Sequence, residues 1–146
     1  MKIHSVNKKA YFEYNILEKL EAGIVLIGQE VKSIKLGHIN LKGSYVIPKD
    51  SEMFLIGAHV PPYQPKNIED YHPERSRKLL LKKKEIAKLI GKAKEKGLTL
   101  VPLKVYSINN IIKVEIGIVK GKKTTDKRES IRRREIDRDI RRSLKV

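Results

Sequence analysis

Residues 111–119 alternate without a break. Ile112, Val114, Ile116 and Ile118 are apolar, and Lys113 and Glu115 between them are charged. A period of two with one polar face marks a half-buried β-strand. Leu98–Tyr106 is a second apolar run, and Asn109-Asn110 between the two supplies turn chemistry, so the pair reads as a hairpin. Pro102 cannot donate to a ladder, which predicts an edge position or a bulge in the first of these strands.

The rest of the body follows the same logic. Phe12, Tyr14, Ile16, Leu20, Ala22, Ile24 and Leu26 alternate within Tyr11–Ile27, with Glu18 the one break, which favours a long or broken strand. Ile16, Leu17, Leu20 and Ile24 also fit a helical stripe. Glu30–Leu36 predicts a short helix stopped by Gly37. Leu41, Tyr45 and Ile47, then Phe54, Ile56, Ala58 and Val60, predict the inward faces of a hairpin turned by Pro48-Lys49-Asp50-Ser51. Four prolines make residues 61–74 a loop. Leu79, Ile86, Leu89, Ile90 and Ala93 predict one long helix from about Ser76 to Lys96, ended by Gly97. Strands, one helix, then a hairpin give a mainly β chain with accessory helices (α+β). A helix between the third and fourth strands of a small closed β-barrel is OB-fold-like.

Charge divides the chain. It has 146 residues and a formal net charge of +16, from 33 Lys+Arg against 17 Asp+Glu. Residues 120–146 hold 12 of the former and 5 of the latter, while every aromatic and proline lies before them. The expected organisation is a folding body over 1–120 and a basic tail over 121–146. Such an excess of cations points to a polyanionic partner. Without Cys there is no disulfide scaffold, thiolate zinc site or Cys nucleophile. No purely apolar run is longer than the four residues of Ile24–Ile27, too short to span a membrane, and Met1-Lys2-Ile3-His4 lacks the apolar stretch of a signal peptide. The expectation is a cytoplasmic protein.

Catalytic motifs fail on inspection. His4, His38, His59 and His72 fit no zinc spacing. His72-Pro73-Glu74 matches half of a nucleobase-deaminase signature whose other half requires Cys. Gly117–Lys123 is one residue short of a phosphate loop between its glycines, and Lys123 stands where a Ser or Thr must reach magnesium. The chain is therefore read as a non-enzyme with no cofactor and no metal.

The basic segments carry more. Arg75, Arg77 and Lys78 at a helix start would oppose the dipole unless a phosphate offset them. Lys82-Lys83-Lys84 fits a solvated helix face. Glu30 is either an N-terminal helix charge complementing the dipole or an acceptor for a base amino group. In the tail, Ile136, Ile140 and Leu144 recur every four residues among arginines. That pattern predicts disorder when free and a basic helix against a polyanion.

Asn7-Lys8-x-Ala10, Gly28-x-Glu30-Val31-Lys32-Ser33-Ile34-x-x-Gly37 and Arg77-Lys78-Leu79-Leu80-Leu81 stand in order along the chain. Pro102-Leu103-x-x-Tyr106, Lys113-Val114-Glu115-Ile116 and Gly121-Lys122-Lys123-x-x-Asp126-Lys127-Arg128 follow. At these residues the sequence resembles the tmRNA-binding protein family, small protein B (SsrA-binding protein). The resemblance implies an OB-fold-like barrel that binds the tRNA-like domain of tmRNA and escorts it to stalled ribosomes for trans-translation. It also implies a tail that occupies the 16S rRNA decoding site and the empty mRNA channel.

The resulting RNA-binding set is Asn7, Lys8, Lys9, Glu30, Lys32, Ser33, Lys35, Gly37, Arg75, Arg77 and Lys78. The ribosome-binding set is Lys122, Lys123, Asp126, Lys127, Arg128, Arg132, Arg133, Arg134, Ile136, Arg138, Ile140, Arg141, Arg142 and Leu144. Thr125 stands where some members carry a His suited to stacking, so that role does not carry over. The expected partners are tmRNA and the ribosome, with no membrane, and the protein is expected to be a monomer. The alternatives are a general single-stranded RNA-binding OB-fold protein and a basic ribosome-associated structural protein. The first would need aromatic platforms, and aromatics are only 5% of residues.

Overall fold

A computed structural model describes residues 1–64 and 70–122. The chain runs β1 (Lys2–Val6), α1 (Lys8–Glu13), β2 (Tyr14–Ile24), α2 (Gly28–Lys35), β3 (Tyr45–Lys49), β4 (Glu52–Ile56), β5 (Arg77–Leu80), α3 (Lys83–Lys94), β6 (Leu98–Ile108) and β7 (Ile111–Gly121). The strands form one sheet in the order β1-β6-β7-β2-β5-β4-β3, and every pairing is antiparallel. Mainly β with accessory helices is therefore the observed class.

The expected closed barrel is corrected. Among the described residues the hydrogen-bonded order is linear, with β1 and β3 as its edges. The sheet curls until β3 packs against β6, and α3 lies against both strands across that seam. The seam is joined by side chains rather than by a ladder, and Pro48 in β3 brings no N–H that could extend one.

Two turns behave as their residues dictate. Asp50-Ser51 and Asn109-Asn110 adopt positive φ at both positions, the geometry that matches strand twist in a two-residue hairpin. Ile112, Val114, Ile116 and Ile118 are buried as the alternation requires. They join Leu100, Val105, Leu79, Leu89 and Met53 in the main core. Each fully buried side chain of this size contributes about 1.5–3 kcal/mol.

Bulges change which face is inward. The β6–β7 register slips between Pro102 and Lys104, and the β2–β7 register slips between Ile16 and Glu18. A bulge inserts one residue and so exchanges the two faces of its strand. Val101 and Leu103 belong to a second, smaller core with Ala10 and Val119, whereas Val105 belongs to the main one. Ile16 likewise packs on the small core and Leu20 on the main core, so the single face read from Ile16 to Leu20 is corrected. Pro102 marks a bulge, and β6 lies inside the sheet between β1 and β7.

Three other expectations are revised. Tyr11–Glu13 is helical because Asn7 caps α1 by accepting from the Ala10 N–H at 3.2 Å. In the β3–β4 hairpin Val46, Met53 and Leu55 point inward, the opposite of the expected Tyr45, Ile47, Phe54 and Ile56. Gly57, at φ +78°, shifts the phase, so Ala58 and Val60 are buried as expected. The long helix from Ser76 is a strand followed by a 12-residue helix. Arg77 and Leu79 are buried and Leu80 is exposed, a period of two, and the Glu85 carboxylate accepts from the Lys82 N–H where α3 begins.

Candidate nucleic-acid interface

The interface is built around Glu30, in the first turn of α2. Its side chain has no exposed surface, nor does that of Arg77. Oε2 accepts from Arg77 Nε at 2.6 Å and from Arg75 Nε at 3.1 Å. Oε1 accepts from Arg75 Nη2 at 2.5 Å and from the Ile27 N–H at 3.0 Å. Arg77 also donates to the carbonyls of Ala58 and Pro73. Burial alone would raise the Glu30 carboxyl. The hydrogen bonds from Arg75, Ile27 and Arg77 outweigh it and hold the group below its ordinary range. One carboxylate thus ties α2 to β5 and to the segment before it.

The predicted residues separate by exposure. Asn7, Glu30, Ser33 and Arg77 are buried. Asn7 donates from Nδ2 to the Pro102 carbonyl at 2.8 Å, and its N–H donates to the Leu103 carbonyl at 2.8 Å, which anchors α1 to the β6 bulge. The phosphate contact expected of Arg77 is corrected, because its guanidinium is enclosed and spent on Glu30 and the carbonyls of Ala58, Pro73 and Arg75. Glu30 itself has neither the exposure nor the free lone pairs to read a base. Lys8, Lys9, Lys32, Lys35 and Gly37 are exposed, and Arg75 is partly so. Lys32 lies 5.3 Å over the Tyr63 ring. Lys78 turns to Glu52 of β4, 3.8 Å away. Gly37 takes φ +82° and ends α2 beside the His4 carbonyl.

Sequence reasoning overlooked Lys2, His4, Asn40 and Lys42. Ser5–Lys9 and Asn40–Lys42 line one shallow cleft of about 310 Å³. The latter residues are far from the others in sequence, and a lone lysine after Leu41 carries no local signal. At the other end of the body, Lys122 donates from its N–H to the Glu13 carbonyl at 2.9 Å and from Nζ to the Tyr11 carbonyl at 3.1 Å. The remaining tail residues assigned above, Lys123 to Leu144, lie outside the described residues.

No group of three or more His, Asp or Glu among the described residues could hold a metal ion. No described helix is long and apolar enough to cross a membrane.

A curled antiparallel sheet with exposed lysines beside a buried carboxylate–arginine anchor defines a basic β-sheet protein. The comparisons give this class its family. The family model described as SmpB protein matches residues 4–146. An SsrA-binding protein from Carboxydothermus hydrogenoformans is 50% identical over 145 residues, covering 99% of this chain and 97% of the relative. One from Streptococcus mutans is 55% identical over 139 residues, covering 95% and 90%. A chain solved under the heading "tmRNA-SmpB: a journey to the center of the bacterial ribosome" is 42% identical. Its TM-score is 0.71, and the match covers 88% of this chain and 94% of that one. The chain belongs to the SmpB protein family.

Proposed function

We propose that this protein binds tmRNA and serves trans-translation on ribosomes that have stalled. The observation that carries the reading is the near full-length identity of about half to SsrA-binding proteins. The exposed, cationic surface over α1 and α2 supports it. The body, 1–120, recognises the tRNA-like domain by shape and by phosphate contacts, as folded RNA is read. Lys8, Lys9, Lys32, Lys35 and Arg75 meet the RNA directly. Asn7, Glu30, Ser33 and Arg77 hold the surface in register from beneath. The tail, 121–146, is the ribosome-facing segment that enters the decoding site and the empty mRNA channel. Two linked contacts raise the effective concentration of one for the other. The protein acts in the cytoplasm, makes and breaks no covalent bond, and needs no cofactor.

Fluorescence anisotropy tests this. The tRNA-like domain of tmRNA, an elongator tRNA and an unstructured RNA of equal length are titrated at several salt concentrations. Full-length protein and a version ending at Lys122 are both used. Clear and similar preference of both versions for the tRNA-like domain is expected. Equal affinity for the unstructured RNA would make the protein a general single-strand binder.

A further inference from the structure

Lys2, Lys8, Lys35 and Lys42 are exposed, and none takes part in an ion pair among the described residues. Lys9, the fifth cation here, reaches only Glu13, at 3.9 Å across solvent. They come from two stretches that the fold lays side by side. β1 is an edge strand, bound on one side to β6. The segment leaving α2 runs along it. Gly37 approaches the His4 carbonyl, and Asn40–Lys42 face Ser5–Lys9 across the cleft. Asn40 is fixed by a bridge to His59, and its Oδ1 accepts from the Lys42 N–H at 2.9 Å, so the Lys42 backbone is held in place.

His4 reports the field there. Its pKa is lowered first by burial and then by the charges of Lys2 and Lys35. Both ammonium groups therefore act on one ring, and among the described residues no carboxylate offsets them. Like charges gathered without counterions cost stability, and a polyanion removes that cost.

We infer that the cleft between β1–α1 and the segment after α2, lined by Lys8, Lys9 and Lys42, continues along β1 to Lys2 and Lys35 outside it as a phosphodiester track whose lysines hold successive phosphates of the RNA backbone. This rests on the RNA-binding reading above and adds Lys2 and Lys42 to it. β1 is five residues long, which at about 3.3 Å per residue gives the track a length of about 17 Å. The ligand is the backbone rather than the bases. The track therefore contributes affinity and register and does not discriminate sequence.

The source of the phosphates is the tRNA-like domain or ribosomal RNA, and the experiment separates them. Full-length wild type, a Lys2→Ala/Lys42→Ala variant, a Lys2→Arg/Lys42→Arg variant and a Lys83→Ala/Lys84→Ala variant of α3 are titrated between about 50 and 200 mM salt. One series uses the tRNA-like domain and the other uses vacant small ribosomal subunits. Removing both lysines should make the plot of log affinity against log salt shallower by about 2 in one series, about 1 for each phosphate no longer neutralised. The arginine variant should keep the wild-type slope, and so should the α3 variant. Thermal melting that matches wild type confirms that the alanine variant is folded. An unchanged slope in both series, with wild type still preferring the tRNA-like domain, overturns the track and leaves the RNA-binding reading intact. No preference by wild type overturns both.

Discussion

Arg77 Nε stands 2.6 Å from Glu30 Oε2, and both side chains are wholly enclosed. Buried ions of this kind hold position at a high desolvation cost, so losing one partner is worse than never having the pair.

Glu30→Ala should therefore destabilise the protein by about 3–5 kcal/mol, because it leaves the Arg77 guanidinium buried and unpaired. A Glu30→Met/Arg77→Met double variant should recover much of that loss. Urea unfolding of the four proteins in the cycle checks it. A double variant no more stable than Glu30→Ala would show that the pair is not what sets the stability of this region.

The same carboxylate makes stability depend on pH in a stated direction. Its pKa in the folded protein lies below the ordinary 4.5. The folded state therefore binds fewer protons at this group than the unfolded chain. The contribution is present in full above the unfolded value and is lost as pH falls through the folded one. The stability gap between wild type and Glu30→Gln should be flat from neutral pH down to the carboxylate range and shrink below it. Chemical denaturation at several pH values measures the gap, and one that widens on acidification would reverse the assigned sign.

Asn7→Ala removes an N-cap and a side-chain bond to the β6 bulge. A loss of about 1–2 kcal/mol is expected from the cap, with a further share from the unpaired Pro102 carbonyl. Hydrogen exchange should locate the effect in α1, since the β7 core does not depend on that cap. Uniformly faster exchange through β7 would contradict this.

Gly117 is needed for space. A Cβ there would lie 2.7 Å from Leu103 Cδ1 and 2.9 Å from Leu103 Cγ, and Leu103 is the buried residue of the bulge. Gly117→Ala should cost about 1–3 kcal/mol by overpacking. Adding Leu103→Ala should cost less in that background than in wild type. Melting temperatures of the four proteins decide it, and strict additivity would mean the two side chains do not compete.

Much of this was legible because it is local. The alternation from Ile112 to Ile118 needs nothing beyond neighbouring residues, and neither does the Asn109-Asn110 turn. The α2 helix also follows from its own pattern and stop. The exposure of Lys8, Lys32 and Lys35 follows from charge alone. The burial of Glu30 and Arg77 was not legible. A carboxylate and a guanidinium 47 positions apart are each most cheaply placed in water, and only their meeting makes burial tolerable.

By itself the sequence determined an antiparallel, strand-rich body, its hairpin turns, its excess of cations and, through ordered motifs, its family. The tertiary structure alone decided which face of each strand is inside, because one extra residue at Leu17 or Leu103 exchanges the faces and local periodicity carries no record of it. It alone decided that the sheet curls without closing, since that depends on what fills the seam between β3 and β6. It also decided which lysines stand together, because the proximity of Lys8 and Lys9 to Lys42 is a property of packing and not of order along the chain.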